Sequence, residues 1–100
     1  MKAIVISPAT QSIETIDVAT LADIKAVVGY DTFESDAIGT RDRFYFDEEC
    51  FLRGTSGRFQ IDSVIPVAGK GVIVGTADSG TTLRDVVTDV DDLRRRIRYL

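Results

Sequence analysis

Short apolar runs separated by polar turns open the chain. Ala3–Ile6 is a β-rich run that ends at Ser7 and Pro8, and residues 12–18 carry the branched side chains typical of a strand. The short polar segment between the two runs makes a hairpin across residues 8–11 the simplest connection. The sequence therefore predicts an N-terminal β-hairpin.

Helical spacing replaces this pattern after the hairpin. Thr20 fits an N-cap, Asp23 stands where a capping-box acid would, and Gly29 supplies a C-terminal stop. The apolar positions between them are Leu21, Ile24, Val27 and Val28. We expect a helix of two to three turns with one apolar face that needs a sheet to cover it.

The middle of the chain is typical of β-structure. The predicted strands are Thr32–Ile38, Arg43–Asp47, Arg58–Ile61, Gly71–Gly75 and a last one within Thr81–Val87. Strand alternation puts Phe44 and Phe46 on one face and Tyr45 on the other. Glycine- and serine-rich turns are expected at residues 54–57 and 77–80.

A second helix is predicted over residues 88–100, with Thr88 or Asp89 as its cap. Its apolar stripe is Val90, Leu93, Ile97 and Leu100, extended backwards by Val86. The stripe could pack on the protein's own sheet or pair with a second copy of itself, and packing on the sheet is favoured. The sequence is therefore compatible with a monomer and with a homodimer.

These elements predict an α+β fold for residues 1–100 as a single domain. We expect a largely antiparallel sheet of about five or six strands with two helices packed on one face. At 100 residues and 44% hydrophobic composition, the chain is long and apolar enough for a core of its own.

Charge is unevenly distributed along the chain. The net charge is −4, but residues 1–93 hold all 16 acidic residues and only eight of the 12 basic ones, which gives −8. Residues 94–100 carry the remaining four bases, which gives +4. An acidic body repels nucleic acid, so only the C-terminal helix could attract it.

The composition excludes several kinds of chemistry. Histidine does not occur, which removes His-based triads, His general bases and His-containing zinc sites. Cys50 is the only cysteine, so neither an intramolecular disulfide nor a Cys₄ metal site can form. We expect no catalytic residues, no metal site and no cofactor, and hence a protein that is not an enzyme.

Three segments are candidate sites. Arg94, Arg95, Arg96 and Arg98 could contact phosphates with Tyr99 stacking on a base, although Asp91 and Asp92 lie at spacings that favour salt bridges along the helix. Asp47, Glu48 and Glu49 form an acidic turn that could meet a partner. Gly69, Lys70 and Gly71 could make a weak anion contact, although a tight turn before a strand explains them better.

Residues 47–52 (DEECFL) and 67–76 (VAGKGVIVGT) also carry a resemblance. Over about residues 1–77 the chain resembles a family of small domains of unknown function encoded by phages, plasmids and other mobile elements. The family pattern has an N-terminal hairpin, a helix ending in Val-Gly-Gly, a strand–acidic-turn–strand unit and a glycine-framed apolar strand. Here the helix ends Val-Gly-Tyr, and Cys50 stands where a turn residue is common. The resemblance implies a mobile-element setting and no catalytic residue.

Together these observations predict a non-enzymatic binding or modulator protein that acts on a protein partner. The alternatives are a nucleic-acid accessory protein that uses the C-terminal arginines and a small-ligand sensor. Apolar runs of only a few residues give no expectation of a membrane span, so a cytoplasmic protein is expected.

Overall fold

A computed structural model describes residues 1–29, 33–52, 54, 57–64, 66–77 and 82–100. Nine strands and two helices follow one another along these residues. They are β1 Lys2–Ser7, β2 Ser12–Asp17, α1 Leu21–Val28, β3 Phe33–Ile38, β4 Asp42–Asp47, β5 Arg58–Ile61, β6 Val67–Ala68, β7 Gly71–Ala77, β8 Thr82–Arg84, α2 Val90–Arg96 and β9 Ile97–Tyr99. Parts of the predicted turns at 54–57 and 77–80, together with Thr32 and Thr81, lie outside the described residues.

Six strands form the main sheet in the order β2-β1-β7-β4-β3, and β8 also pairs with β7. Every pairing is antiparallel. The strand β7 is central, with Ile73 opposite Ile4 on one side and Phe44 on the other. The predicted α+β class and six-stranded antiparallel sheet are confirmed.

The first hairpin and helix also form as predicted. Six residue pairs join β1 and β2. Thr20 caps α1 by accepting from the Asp23 N–H, the Asp23 carboxylate accepts from the Thr20 N–H in return, and Gly29 ends the helix in the left-handed region at φ 93°.

The two helices lie on opposite faces of the main sheet, so the prediction that both pack on one face is wrong. Ile24 of α1 packs with Val5 and Tyr45. Leu93 of α2 packs with Ile4 and Phe44, which alternation places on the other face. The central strands are apolar on both faces, so both faces of the sheet must be covered. Two helices packed on the same face would leave the other apolar face exposed to water.

A second sheet covers the α2 face and corrects the predicted C-terminal helix over 88–100. The order of this small sheet is β6-β5-β9. The helix is capped by Asp89 and ends at Arg96, after which Ile97 is extended at φ −85° and ψ 135° and pairs with Ile61. Ile97 and Tyr99 fit a strand as well as a helix, and the ladder on β5 decides between the two.

Two smaller segments complete the fold. Cys50–Leu52 forms one turn of 3₁₀-helix rather than the strand of the family pattern, and the Cys50 Sγ accepts the Ala68 N–H at 3.4 Å. None of the helices among the described residues is both long and apolar enough to span a membrane.

Candidate interaction surface

The four C-terminal arginines do not act as one patch. Arg94 pairs with Asp91 at 3.6 Å and Arg95 with Asp92 at 3.4 Å, each three residues along α2. Arg98 belongs to β9 instead and is exposed. The salt bridges anticipated from the positions of Asp91 and Asp92 are confirmed.

Arg96 is the arginine most firmly held by the fold. Its Nε and Nη2 donate to Asp62 Oδ2 at 2.9 and 2.5 Å, and its Nη1 lies 3.5 Å from Asp92. These hydrogen bonds lower the pKa of Asp62 below its usual value and raise the pKa of Arg96. Arg96 therefore joins α2 to Asp62, the residue that follows β5, and its guanidinium group is engaged by the carboxylates of Asp62 and Asp92.

Tyr99 is not positioned to stack on a base. Its side chain packs against the core cluster that contains Phe59 and Leu93. Burial raises the pKa of its phenol, while the charge of nearby Arg94 acts in the opposite direction. The Tyr99 ring points inward because Ile97 and Tyr99 share one face of β9 and that face packs on the core.

The three residues of the acidic turn, Asp47, Glu48 and Glu49, differ in burial. Asp47 is only 3% exposed, and its Oδ1 accepts the Glu49 N–H at 3.1 Å. That carboxylate is buried and shapes the turn, whereas the side chains of Glu48 and Glu49 are exposed. Within the described ranges, the carboxylates and Cys50 form no group of three that could hold a metal ion.

The Gly69-Lys70-Gly71 segment is a tight turn between β6 and β7. The Gly69 N–H donates to the Gly57 carbonyl at 3.4 Å, and Gly71 pairs with Ile6 in the main sheet. A Cβ atom on Gly71 would lie 2.2 Å from the Phe44 ring. Gly71 is therefore required for packing, and of the expected anion contacts only the exposed Lys70 side chain is available.

The structure brings together a surface that the sequence does not reveal. Phe59 and Ile61 of β5 face the core, so Arg58 points to the outer face of the small sheet. On β9 the same alternation puts Arg98 and Leu100 on that face. From the 3₁₀ turn, Phe51 contacts Arg58, and the exposed Leu52 follows Phe51 in the chain. We call these five residues, Phe51, Leu52, Arg58, Arg98 and Leu100, the basic-apolar surface.

Arg58 links the parts of the basic-apolar surface. Its guanidinium carbon lies 5.0 Å from the centre of the Phe51 ring, and its carbonyl accepts the Leu100 N–H at 2.9 Å. Phe51 is 48% exposed, Leu52 80% and Leu100 60%. Large apolar side chains at this exposure beside two arginines are typical of an interaction surface.

Sequence reasoning named Arg98 as a candidate but missed the other four residues of this surface, because the five come from three separated segments. The one local signal is the apolar pair Phe51-Leu52 directly after an acidic turn. Only the pairing of β5 with β9 puts Arg58, which contacts Phe51, on the same sheet face as Arg98.

Comparisons of the chain with protein-family models, with curated proteins and with solved structures give no match.

Proposed function

We propose that this protein is a non-enzymatic binding protein and that its partner is another protein, held on the basic-apolar surface. The observation that carries the proposal is the grouping of three exposed apolar side chains with Arg58 and Arg98 on the outer face of the small sheet. Arginine and aromatic residues are enriched at the centres of protein interfaces.

Charge favours an acidic partner. The chain as a whole carries −4, yet neither Arg58 nor Arg98 forms an ion pair within the described part of the chain. A partner that brings carboxylates to these two guanidiniums and apolar side chains to Leu52 and Leu100 would complement the surface.

The nucleic-acid alternative has less support from the described residues. Arg94, Arg95 and Arg96 are engaged with carboxylates, and Tyr99 packs inward. An exposed apolar residue such as Leu52 gains little beside a phosphate backbone. Nucleic-acid binding is accordingly an outcome that the experiment must distinguish.

We extend the proposal to a modulator encoded by a mobile element, and for this setting the family resemblance is the only support.

Capture of a partner from a lysate of the source cells tests the proposal. The immobilised protein is compared with Leu52→Asp, which places a charge in the basic-apolar surface, and with Leu21→Asp as a matched control on α1, where Leu21 is 47% exposed. We expect one protein to be retained by the parent and by Leu21→Asp and to be lost with Leu52→Asp, at unchanged melting temperature.

Two results count against the proposal. Equal capture by all three proteins would place binding elsewhere on the molecule. Capture that disappears after nuclease treatment would favour the nucleic-acid alternative instead.

A further inference from the structure

One edge of the small sheet has unpaired backbone groups. Leu100 N–H donates to the Arg58 carbonyl and Asp62 N–H donates to the Arg96 carbonyl, so residues 96, 98 and 100 direct their backbone groups toward β5. Alternation turns the N–H and C=O of Tyr99 and the C=O of Ile97 to the opposite side of β9. No strand among the described residues pairs with that side.

Two other sheet edges, those of β6 and β3, differ from the β9 edge. At the opposite edge of the small sheet, the Ala68 N–H of β6 is taken by Cys50 Sγ. In the main sheet, the edge strand β3 carries Glu34 and Asp36 on the same face as Phe44 and Phe46, an arrangement that disfavours the addition of a further strand. The β9 edge carries no such acid.

Arginine side chains lie on β9 and on the helix before it. Arg98 lies within the strand, and Arg94 and Arg95 are 59% and 73% exposed on the helix that leads into it. Arg94 and Arg95 are each paired with an aspartate, so Arg98 is the arginine of this group that forms no ion pair within the described part of the chain.

Resting on the function proposed above, we infer that β9 is extended by a strand from the partner, an acidic segment in extended conformation. Backbone hydrogen bonds to Tyr99 and Ile97 hold the segment, and its side chains alternate. On the outer face, an acidic side chain meets Arg98, and the apolar side chains between the acidic ones lie on the same face as Ile97 and Tyr99.

A fluorescently labelled seven-residue peptide of alternating Glu and Val tests the inference by anisotropy. Two derivatives carry N-methyl groups, one on its Glu amides and the other on its Val amides. Because alternate amides of a strand point to opposite edges, only one set can face β9. We expect one derivative to lose affinity by about tenfold or more and the other to bind like the parent peptide.

Protein variants supply the charge control. Arg98→Glu is expected to weaken binding of the unmethylated peptide by about tenfold, whereas Arg84→Glu on β8 makes the same change in net charge and leaves the affinity within about twofold.

Equal binding of both methylated derivatives would overturn strand addition, while a retained dependence on Arg98 would leave the proposed function standing. Failure of the peptide to bind at all would overturn the inference, and the capture experiment with Leu52→Asp would then decide the proposed function by itself.

Discussion

At the scale of single residues, Gly57 is where the first hairpin meets the small sheet. Its φ is +86°, and a Cβ atom there would lie 2.6 Å from the Ala9 nitrogen and 2.7 Å from the Pro8 carbonyl carbon. Both neighbours are backbone atoms in a turn that contains a buried proline, so they cannot move aside cheaply. Position 57 thus requires glycine for its conformation and for its space.

Replacement of Gly57 by alanine separates these two effects when it is compared with Gly54→Ala. Gly54 is also left-handed at φ +68° but has nothing within 4 Å of the added Cβ, so we expect a loss of about 1 kcal/mol in the free energy of unfolding there. Gly57→Ala adds the backbone clash, and we expect about 3 kcal/mol. Urea unfolding of the two variants gives the comparison, and equal losses would contradict a close approach at Gly57.

Other features at this scale follow directly from local sequence. The alternation of Phe44, Tyr45 and Phe46 between the two faces of β4 needs only the two-residue period of a strand. The capping box of Thr20 and Asp23 needs only their spacing. Both can be read without knowledge of the fold because the interacting groups lie within a few residues of each other.

At the scale of elements, the boundary between α2 and β9 cannot be predicted from the local sequence. Val90, Leu93 and Ile97 follow helical spacing, and all three pack on the core. The prediction that the stripe is core is confirmed for Val86, Val90, Leu93 and Ile97 and is wrong for Leu100, which is 60% exposed. The helical spacing also does not show that the chain becomes extended at Ile97. That change is decided by hydrogen bonds to β5, which lies more than thirty residues earlier.

The pair Asp62–Arg96, which fastens the end of α2 beside the small sheet, predicts a pH dependence. The pKa of Asp62 lies below 3.8 in the folded chain because Arg96 donates two hydrogen bonds to it. A carboxyl whose pKa falls on folding stabilises the protein above its unfolded pKa, and this contribution is lost as the pH falls through the folded value. We expect the pair to contribute below about 1 kcal/mol at neutral pH because both side chains are partly exposed.

Unfolding by urea at a series of pH values checks this with Asp62→Asn. At neutral pH the variant is expected to be less stable than the parent, and the two stability curves should converge as the pH falls through the lowered pKa of Asp62. Asp91→Asn, which alters the longer 3.6 Å pair with Arg94, serves as the control and should show a smaller gap. A difference in the free energy of unfolding between Asp62→Asn and the parent that does not change with pH would contradict a role for the charge of Asp62.

At the scale of the whole molecule, one carboxylate joins the C-terminal segment to the main sheet. Asp42 is 4% exposed, and it accepts hydrogen bonds from the Val87 N–H at 2.9 Å, the Thr88 N–H at 2.7 Å and the Thr88 hydroxyl. This contact fixes the chain just before α2, and α2 and β9 then complete the core on that face.

Asp42→Ala should therefore destabilise the C-terminal segment that Asp42 holds to the main sheet, and not only the residues next to position 42. It leaves two backbone N–H groups without their acceptor, and we expect a loss of about 2–4 kcal/mol in the free energy of unfolding. Hydrogen exchange should show faster exchange at Val87 and Thr88. Asp17→Ala, at an exposed carboxylate in β2, is the control and should change stability by less than about 0.5 kcal/mol. A loss below that of the control would show that Asp42 does not hold the segment.

The sequence by itself determined the hairpin, the capped helix α1, the buried strand β7, the α+β class and the ion pairs along α2. Each of these depends on periodicity or on groups three or four residues apart, which the order of residues specifies. Tertiary structure alone decided that the helices take opposite faces, that the chain ends as a strand, and that Phe51, Leu52, Arg58, Arg98 and Leu100 form one surface. Those outcomes depend on contacts between distant segments, because strands apolar on both faces must be covered twice and an unpaired edge of β5 must find a partner.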